Sequence, residues 1–591
     1  MMLSLLASRK VSNTAILFIC IPLVLSAFTH LWNPIGFPSV YIDEAHYMRR
    51  AMLVLNGLGP QDMFYPYDHP YFGQLFLAGV FRIIGYPVSL HPSSDINSIE
   101  MLYFIPRVLM GILAIVDTFL VYKIAGVMYN NKRIAFIASI LFAVMPLSWF
   151  TRRIYLESIQ LPFLLSSILF AVYCAKKNCF SSSLSLTSSS STTTRRTTRL
   201  YNEEDNNNIN KNKKKNIFLI LLSGIFLGLA IFTKIPVFTM IPLVGFLIIS
   251  TNKNDDLDDN STIGRRIKGR SITNLKVLGL WFIPVILIPL IWPVYAISIG
   301  QFDSWMNGVI WQTHRQKQNE PLFSFTNPLF KIVKNTLFRI DPVLLVVGAF
   351  GIIFSAVIKR DFFPLLWSAP FLIFLYFIGY ISYWHFIPLI PLFCISAAIL
   401  IADISNKVIT VSTSKKVIQQ IPFLFVIISA IGVFGLVSTA ALITTNVNSS
   451  YFKIYEFIVQ HLPDFNDRSN NKNNKVTVIS GHWWIWNSFW IPKYVLNKDH
   501  EYKVFPHGRG ISFNDINVTS QKVLFILDKG MKHSLSIHKK IPLQPFYDNS
   551  KTIAKFNDNI IPSYSNKYPF TSMLKDRRPQ GIIEIKANYV Q

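Results

Sequence analysis

The residues best suited to chemistry in this chain fall in YIDEAHYMRR, positions 41 to 50, where two acids, a histidine and two arginines share ten places. If 43–55 is helical, Asp43, His46, Tyr47 and Arg50 lie on one side, because residues three, four and seven apart stack along a helix. A carboxylate so placed is held ionised by a neighbouring cation, and an ionised carboxylate beside a reacting hydroxyl can accept its proton. Taken alone, the decapeptide is better explained as a solvated amphipathic helix at lipid headgroups. The next polar stretch, YPYDHPYFGQLF at 65–76, shifts that balance. Pro70 suits a first helical turn and Asp68 its cap, which accounts for both without any function. His69 is left unexplained. Lys234 stands between two apolar runs, where a charge within hydrocarbon costs about 2.5–3.5 kcal/mol or more, so it must snorkel, pair or meet an anion. Arg107 and Arg153 stand likewise at ends of apolar runs. Interface anchoring would explain all three cations; a phosphate at the membrane surface would satisfy them too.

The elements that must position these residues are membrane spans. The chain has 591 residues, of which 51% are hydrophobic and 15% charged, too apolar for an ordinary soluble protein. Several uninterrupted apolar runs reach the roughly 18–20 residues that cross a bilayer. Spans are expected near 12–31, 101–123, 133–150, 157–175, 216–233, 235–250, 275–297, 341–358, 362–380, 383–402 and 419–443, about eleven crossings that put the two ends on opposite sides. The first run, Thr14 to Leu31, is too long for a secretory signal and lacks a small-x-small cleavage site, so it reads as a retained helix. With that count, Arg9/Lys10, Lys132/Arg133, Lys176/Lys177, Lys211 to Lys215, Arg265 to Lys276, Lys359/Arg360 and Lys407 to Lys416 all fall on one side, which is then cytoplasmic. The formal charge of +26 thus reports orientation, and no nucleic-acid partner is expected. Cys20, Cys174, Cys179 and Cys394 imply neither a disulfide framework nor a paired-cysteine metal site.

A transmembrane part, 1–443, is expected to be followed by a small extracytoplasmic α/β domain, 444–591. The cytoplasmic loops 180–215 and 251–272 have Ser/Thr-rich and Asn/Lys-rich compositions that cannot bury a core, so they read as disordered spacers. The outer loop 32–100 carries the candidate catalytic helices. In the C-terminal part, KVTVIS at 475–480, KVLFIL at 522–527 and GIIEI at 581–585 read as strands, and 451–462 as an amphipathic helix. The sequons at Asn448 and Asn517 are compatible with an outside location.

An Asp-Glu pair just beyond the first span, followed about 25 residues later by a His-Pro element, resembles the membrane glycosyltransferases of GT-C type. The resemblance is greatest to the protein O-mannosyltransferase family and, beside it, the lipid A aminoarabinose transferases. The family's second element runs His-Pro-Pro-Leu-Gly-Lys; here HPYFGQ keeps His69, Pro70 and Gly73 but has Tyr71 and Gln74, so a role of the family lysine is not carried over. FIPRVLMGILAI at 104–115 is similar to the family's Arg-containing second span, RRIYLES at 152–158 to its short outer turn, GIFLGLAIFTKIP at 224–236 to its Gly-Leu-x-x-x-Thr-Lys turn, and YWHFIPLIPLF at 383–393 to its late span with two prolines. In order, the matches run from about residue 12 to about residue 400.

The resemblance implies a polytopic α-helical membrane protein of the GT-C fold. It implies an inverting, mannosyltransferase-like transfer of a sugar from a polyprenyl (dolichyl) phosphate-linked donor to an acceptor hydroxyl on a protein, lipid or glycan at the outer face of the cell membrane. Asp43 would be the general base, and Glu44 would orient it, bind sugar hydroxyls or hold a divalent cation. Lys234, Arg107, Arg49, Arg50 and Arg153 would bind the donor phosphate. His69, Asp68, Glu157 and His385 would bind substrate. The motifs name no cofactor; a divalent cation is the one candidate, with Glu44 and His69 as its candidate ligands. Two rival readings stand beside this one. GHWWIWNSFW at 481–490 is similar to the Trp-Trp-Asp signature of oligosaccharyltransferases, but Ile485 stands where the Asp belongs. A transporter or flippase of a lipid-linked or anionic solute would show charges buried mid-span, for which only Asp117 and Lys123 qualify.

Overall fold

Each apolar run has a helix in the structure, a computed structural model that describes residues 13–61, 67–176, 199–249, 263–314, 327–378, 381–410, 420–463, 476–481, 484, 490–498, 500–504, 521–537, 543–558 and 581–589. Among the described residues, five helices are long and apolar enough to cross a membrane: Ile96–Tyr129, Leu156–Lys176, Asn216–Thr233, Lys276–Ser298 and Tyr383–Ser405. Two bent pairs raise the number to seven: Lys132–Val144 with Pro146–Arg152, at 66°, and Pro328–Ile340 with Pro342–Val357, at 118°. The chain is therefore a multi-pass helical membrane protein, although fewer helices meet the length requirement than the eleven expected. The other expected crossings are shorter apolar helices such as Ile235–Ile249 and Phe363–Ile378. At 1.5 Å per residue, a helix of 16 residues rises about 24 Å, short of a hydrocarbon layer about 30 Å thick.

The expected spacer loops are shorter than their composition suggests. Helix Arg199–Thr233 begins inside the Asn/Lys tract and helix Ile263–Ser298 inside the second tract. Extending an existing helix needs no new nucleus, so polar residues can continue one that an apolar segment anchors. Residues 180–198 and 251–262 lie outside the described residues.

The outer loop supplies two helices, α1 (Ile42–Leu55) and α2 (Phe72–Ile84). Expectation and structure differ at the start of α2. It opens at Phe72, beyond the His-Pro pair, and Asp68 is held by Arg50 at 2.7 Å instead of capping it. Close approach of α2 to α3 (Leu156–Lys176) depends on Gly73, since a Cβ there would lie 2.4 Å from Leu156 Cδ2.

The C-terminal part holds a five-stranded sheet ordered β2-β1-β3-β5-β4, built from β1 (Val476–Ser480), β2 (His500–Val504), β3 (Lys522–Leu527), β4 (Lys551–Asp558) and β5 (Gly581–Ala587). The first three strands are parallel, and β5 runs antiparallel to both β3 and β4. Alternate residues of β3 face opposite ways. Leu524 and Ile526 join the core shared with the membrane helices, while Val523, Phe525 and Leu527 pack with Met531, Leu535 and Leu543 on the far face.

Two contacts tie this part to the rest of the chain. Trp490 donates from its indole to Tyr103 Oη of helix Ile96–Tyr129 at 3.3 Å, while within the part Trp484 stacks on Tyr451 with ring centroids 6.0 Å apart. The described tryptophans of the aromatic cluster are thus core residues; 482–483 and 485–489 lie outside the described residues. The second contact is Asn448, fully buried, whose Oδ1 accepts from Val40 N at 2.9 Å and whose Nδ2 donates to the carbonyls of Ile35 at 2.6 Å and Pro38 at 2.8 Å. A sequon asparagine so engaged cannot carry a glycan in the folded chain; Asn517 lies outside the described residues. Asn448→Ala is expected to destabilise the protein by about 1–3 kcal/mol, because it strands buried backbone groups. Thermal unfolding in detergent measures that loss, and peptide mass spectrometry of protein from a glycosylating host should find Asn448 unmodified.

Candidate functional site

The first turn of α1 splits the two adjacent acids. Glu44 is fully buried and accepts four hydrogen bonds: Oε1 from Arg107 Nε at 3.1 Å and Ile154 N at 3.2 Å, Oε2 from Arg107 Nη2 at 2.8 Å and Tyr41 N at 3.0 Å. That fills the carboxylate's acceptor sites. Arg107 is equally occupied, its Nη1 donating to the carbonyls of Pro34 at 2.9 Å and Pro38 at 2.8 Å. The geometry runs against two expectations. Arg107 turns its guanidinium to Glu44 and the loop backbone, and Glu44 turns its carboxylate inward. Among the described residues no three His, Cys, Asp or Glu side chains gather as a metal site would need, Glu44 and His69 included.

Asp43, one residue earlier, is only partly buried. It lies close enough to Tyr47 and Tyr155 to act on both electrostatically. Burial pushes the Tyr47 hydroxyl well above its ordinary value; Asp43, Glu157 and Asp68 push the same way, and Arg50 opposes them. Three carboxylates and one guanidinium thus converge on a tyrosine that stays protonated and able to donate. On the same helix, Arg49 Nη2 lies 3.0 Å from His46 Nδ1 and Arg50 holds Asp68. His69, next to Asp68, is partly exposed.

An aromatic wall faces this turn. Trp384 packs against Tyr41 at 5.3 Å and Tyr155 at 5.4 Å between ring centroids. The Arg153 guanidinium lies 5.1 Å from the Tyr41 ring and 5.4 Å from that of Trp149, with Nη2 donating to Ser39 Oγ at 3.0 Å. His385 serves its own turn, Nδ1 accepting from Ser382 N at 3.0 Å.

Lys234 sits where helix Arg199–Thr233 ends and the chain becomes extended, at φ −158°. Gln160 Nε2 holds that break open by donating to the carbonyls of Ala230 at 2.7 Å and Lys234 at 2.5 Å. Orphan carbonyls at a helix end need such a partner. The Lys234 ammonium forms a buried ion pair with Glu157 Oε1, and Glu157 Oε2 has no hydrogen-bond partner among the described residues.

Reading the sequence missed two side chains. Gln74 is fully buried in α2, and neither amide atom has a hydrogen-bond partner among the described residues. Arg152 is 1% exposed and, among the described residues, donates once, to the Trp32 carbonyl, with Nε and Nη1 finding no hydrogen-bond partner there. No carboxylate pairs with Arg152 among the described residues. An unpaired buried guanidinium costs several kcal/mol; here the Phe37 ring lies 5.6 Å from it. The sequence offered a signal for each: Gln74 departs from the family pattern, and Arg152 lies beside Arg153 in the matched turn.

Residues 19–190 match the dolichyl-phosphate-mannose-protein mannosyltransferase family. No curated protein sequence matches the chain. Among solved structures, the chain is similar to the oligosaccharyltransferase of Archaeoglobus fulgidus in its apo form, with a TM-score of 0.50 and 13% identity over 82% of this chain. It spans 64% of that enzyme's chain, under two thirds of its length. The same archaeal enzyme, AglB, in complex with an inhibitory peptide and a dolichol-phosphate matches with a TM-score of 0.52 at 13% identity, covering 87% of this chain and 69% of that one. ArnT from Cupriavidus metallidurans bound to undecaprenyl phosphate matches with a TM-score of 0.50 at 11% identity, covering 98% of both chains. At such identities the likeness is one of fold. The resemblance read from the motifs is borne out: the chain carries the mannosyltransferase family pattern over residues 19–190 on the helical membrane fold shared by glycosyltransferases of GT-C type.

Proposed function

We propose that this chain transfers a sugar from a polyprenyl-phosphate-linked donor to an acceptor hydroxyl, with inversion, at the outer face of the membrane. The observation that carries the reading is the partly exposed Asp43, which acts on Tyr47 together with Asp68, Arg50 and Glu157, the last of these holding the buried Lys234. In the reaction, the acceptor oxygen attacks the anomeric carbon while its proton passes to the Asp43 carboxylate. The bond from that carbon to the donor phosphate breaks, and the phosphate leaves as an anion. Fixed cations aimed at this developing charge lower the barrier most. Lys234 and Arg152 are the phosphate ligands on this reading. Glu44 and Arg107 position the turn that carries Asp43, and Arg49, Arg50 and Arg153 frame the site. On the same reading Glu157, through Oε2, and Gln74, through its amide, would meet sugar hydroxyls, and His69 and Asp68 would meet the acceptor.

The family match over 19–190 supports a mannosyl-like donor, and the fold shared with ArnT supports a lipid-phosphate carrier. The basic loops support a cytoplasmic N-terminus and an outward C-terminal part. Lys234→Ala is expected to raise KM for the donor about 10–100-fold, the value of a charge-assisted phosphate contact, with little change in acceptor KM. Steady-state assay of the purified enzyme with a polyprenyl-phosphate sugar tests this; equal loss for both substrates would remove Lys234 from the phosphate site. The carrier alternative has one observation in its favour. Asp117 is fully buried within helix Ile96–Tyr129, and neither carboxyl oxygen has a hydrogen-bond partner among the described residues. Sugar movement across proteoliposomes without glycosyl transfer would favour that alternative.

A further inference from the structure

The break between helix Lys132–Val144 and the turn Pro146–Arg152 is set by local sequence and braced from elsewhere. Met145 precedes a proline, which drives it out of the helical region to ψ 141°, and Pro146 brings no N–H of its own. The chain bends by 66° there and continues as a 3-10 helix of seven residues, although such helices rarely run beyond three or four. A helix that stops leaves carbonyls without partners, and within a membrane no water is at hand to take them.

Three buried side chains from distant parts of the chain meet the polar groups of the break. Thr29 of helix Asn13–Leu31 donates to the Ala143 carbonyl at 2.7 Å, the shortest contact its hydroxyl makes. Thr439 of helix Gln420–Ile443 donates to the Val144 carbonyl, also at 2.7 Å. Asp341, at the 118° bend, accepts from Leu147 N at 3.4 Å through Oδ2, while its Oδ1 accepts from Leu344 N at 2.9 Å. None of the three is more than 2% exposed. Gly435, four places before Thr439, lets that helix come so close: a Cβ there would stand 2.6 Å from Met145 Sδ.

We propose that Thr29, Thr439 and Asp341 are positioning residues, fixing the turn whose far end holds the Asp43 site. The turn is tied within itself, Thr151 Oγ1 donating to the Ser148 carbonyl at 2.7 Å, so a shift at Val144 or Leu147 is carried along it. Just past its end, Ile154 N donates to Glu44 Oε1 at 3.2 Å and Arg153 Nη2 donates to Ser39 Oγ at 3.0 Å. Glu44 adjoins Asp43, and Ser39 lies four places before it. Arg152, a phosphate ligand on the reading above, is on the turn itself. The three side chains thus act through backbone position and not on substrate, and a misplacement of about 1 Å can cost about 10²-fold in rate. The consequence for turnover rests on the glycosyltransferase reading; the bracing geometry does not.

The test compares Thr29→Val, Thr439→Val and Asp341→Asn with Thr118→Val, all as full-length purified protein. Valine keeps the shape of threonine and removes the hydroxyl. Asparagine keeps one acceptor oxygen, enough to cap the helix at Leu344 N, and sets an amide donor where Leu147 N needs an acceptor. Thr118 is fully buried and donates to Ser26 Oγ at 2.7 Å and the Ala114 carbonyl at 2.9 Å, not to the break, so its variant reports the loss of a buried hydroxyl alone. At a temperature where every variant is folded, hydrogen exchange read by mass spectrometry should rise across residues 146–155 in the three bracing variants and stay parental there in Thr118→Val. With a polyprenyl-phosphate sugar, the bracing variants should lose about tenfold in kcat and show a higher donor KM at unchanged acceptor KM. Thr29→Ser, which keeps the hydroxyl, should restore both. Parental exchange across 146–155 in all three variants overturns the bracing. Faster exchange with parental kcat and donor KM overturns the positioning role, as does an equal loss of rate in Thr118→Val. If the parent transfers no sugar while exchange rises as expected, the brace stands and the glycosyltransferase reading falls.

Discussion

Asp43→Asn is expected to leave the protein folded and to lower kcat for sugar transfer by about 10²–10⁴, the range a positioned general base contributes. The substitution keeps the side chain's shape and removes its capacity to take a proton. Its neighbour cannot substitute, because both oxygens of Glu44 are occupied by Arg107, Tyr41 N and Ile154 N. Asp43 is also the one of the pair that is partly exposed, and so within reach of an acceptor. Donor affinity should be nearly unchanged, since the phosphate is held elsewhere. Single-turnover measurement with a polyprenyl-phosphate sugar separates the two steps. Turnover at the parental rate would exclude Asp43 as the base.

Arg107→Leu should produce the largest loss of stability of any single change near the site, about 3–5 kcal/mol, because it leaves the Glu44 carboxylate buried and uncompensated. Glu44→Leu strands the guanidinium in the same way. The double variant should lose much less than the two single losses added together, since an apolar pair of similar volume replaces a buried ion pair at small net cost. Unfolding of all four proteins in detergent completes the cycle. If Arg107→Leu melts like the parent and only donor affinity falls, Arg107 is a phosphate ligand after all.

These two expectations show where the sequence was informative. The position of α1 was legible to within a residue, 43–55 against Ile42–Leu55, because its polar and apolar residues recur at helical spacing. The long apolar runs located their helices for the same reason. Which charge meets which was not legible. Glu44 and Arg107 are 63 positions apart and Lys234 and Glu157 are 77 apart, and nothing local encodes either pairing. Arg107 looked like a phosphate ligand because a cation at a span end must find an anion; the fold supplies one from within. In the sheet, the strands recognised were β1, β3 and β5, and those overlooked were β2 and β4. The overlooked pair are the two edge strands, HEYKV and KTIAKFND, whose polar sequences lack the apolar run that marks a buried strand. The bend of 118° between Pro328–Ile340 and Pro342–Val357 falls at the start of the span expected near 341–358, and the helix Pro328–Ile340 before it was not expected.

The Asn448 clamp bears on how such a chain can be inherited and engineered. The loop it holds, 35–40, runs directly into the turn that carries Asp43 and Glu44, so a side chain more than four hundred positions downstream sets the path of the backbone there. The boundary near residue 444 looks like a seam between modules, yet a cut there removes the fastening of the loop on the other side. Recombination or domain exchange at that point would therefore carry over a membrane part without its own anchor. The two parts have to change together, and a chimera built at this junction needs the partner asparagine's geometry as much as it needs a matching interface.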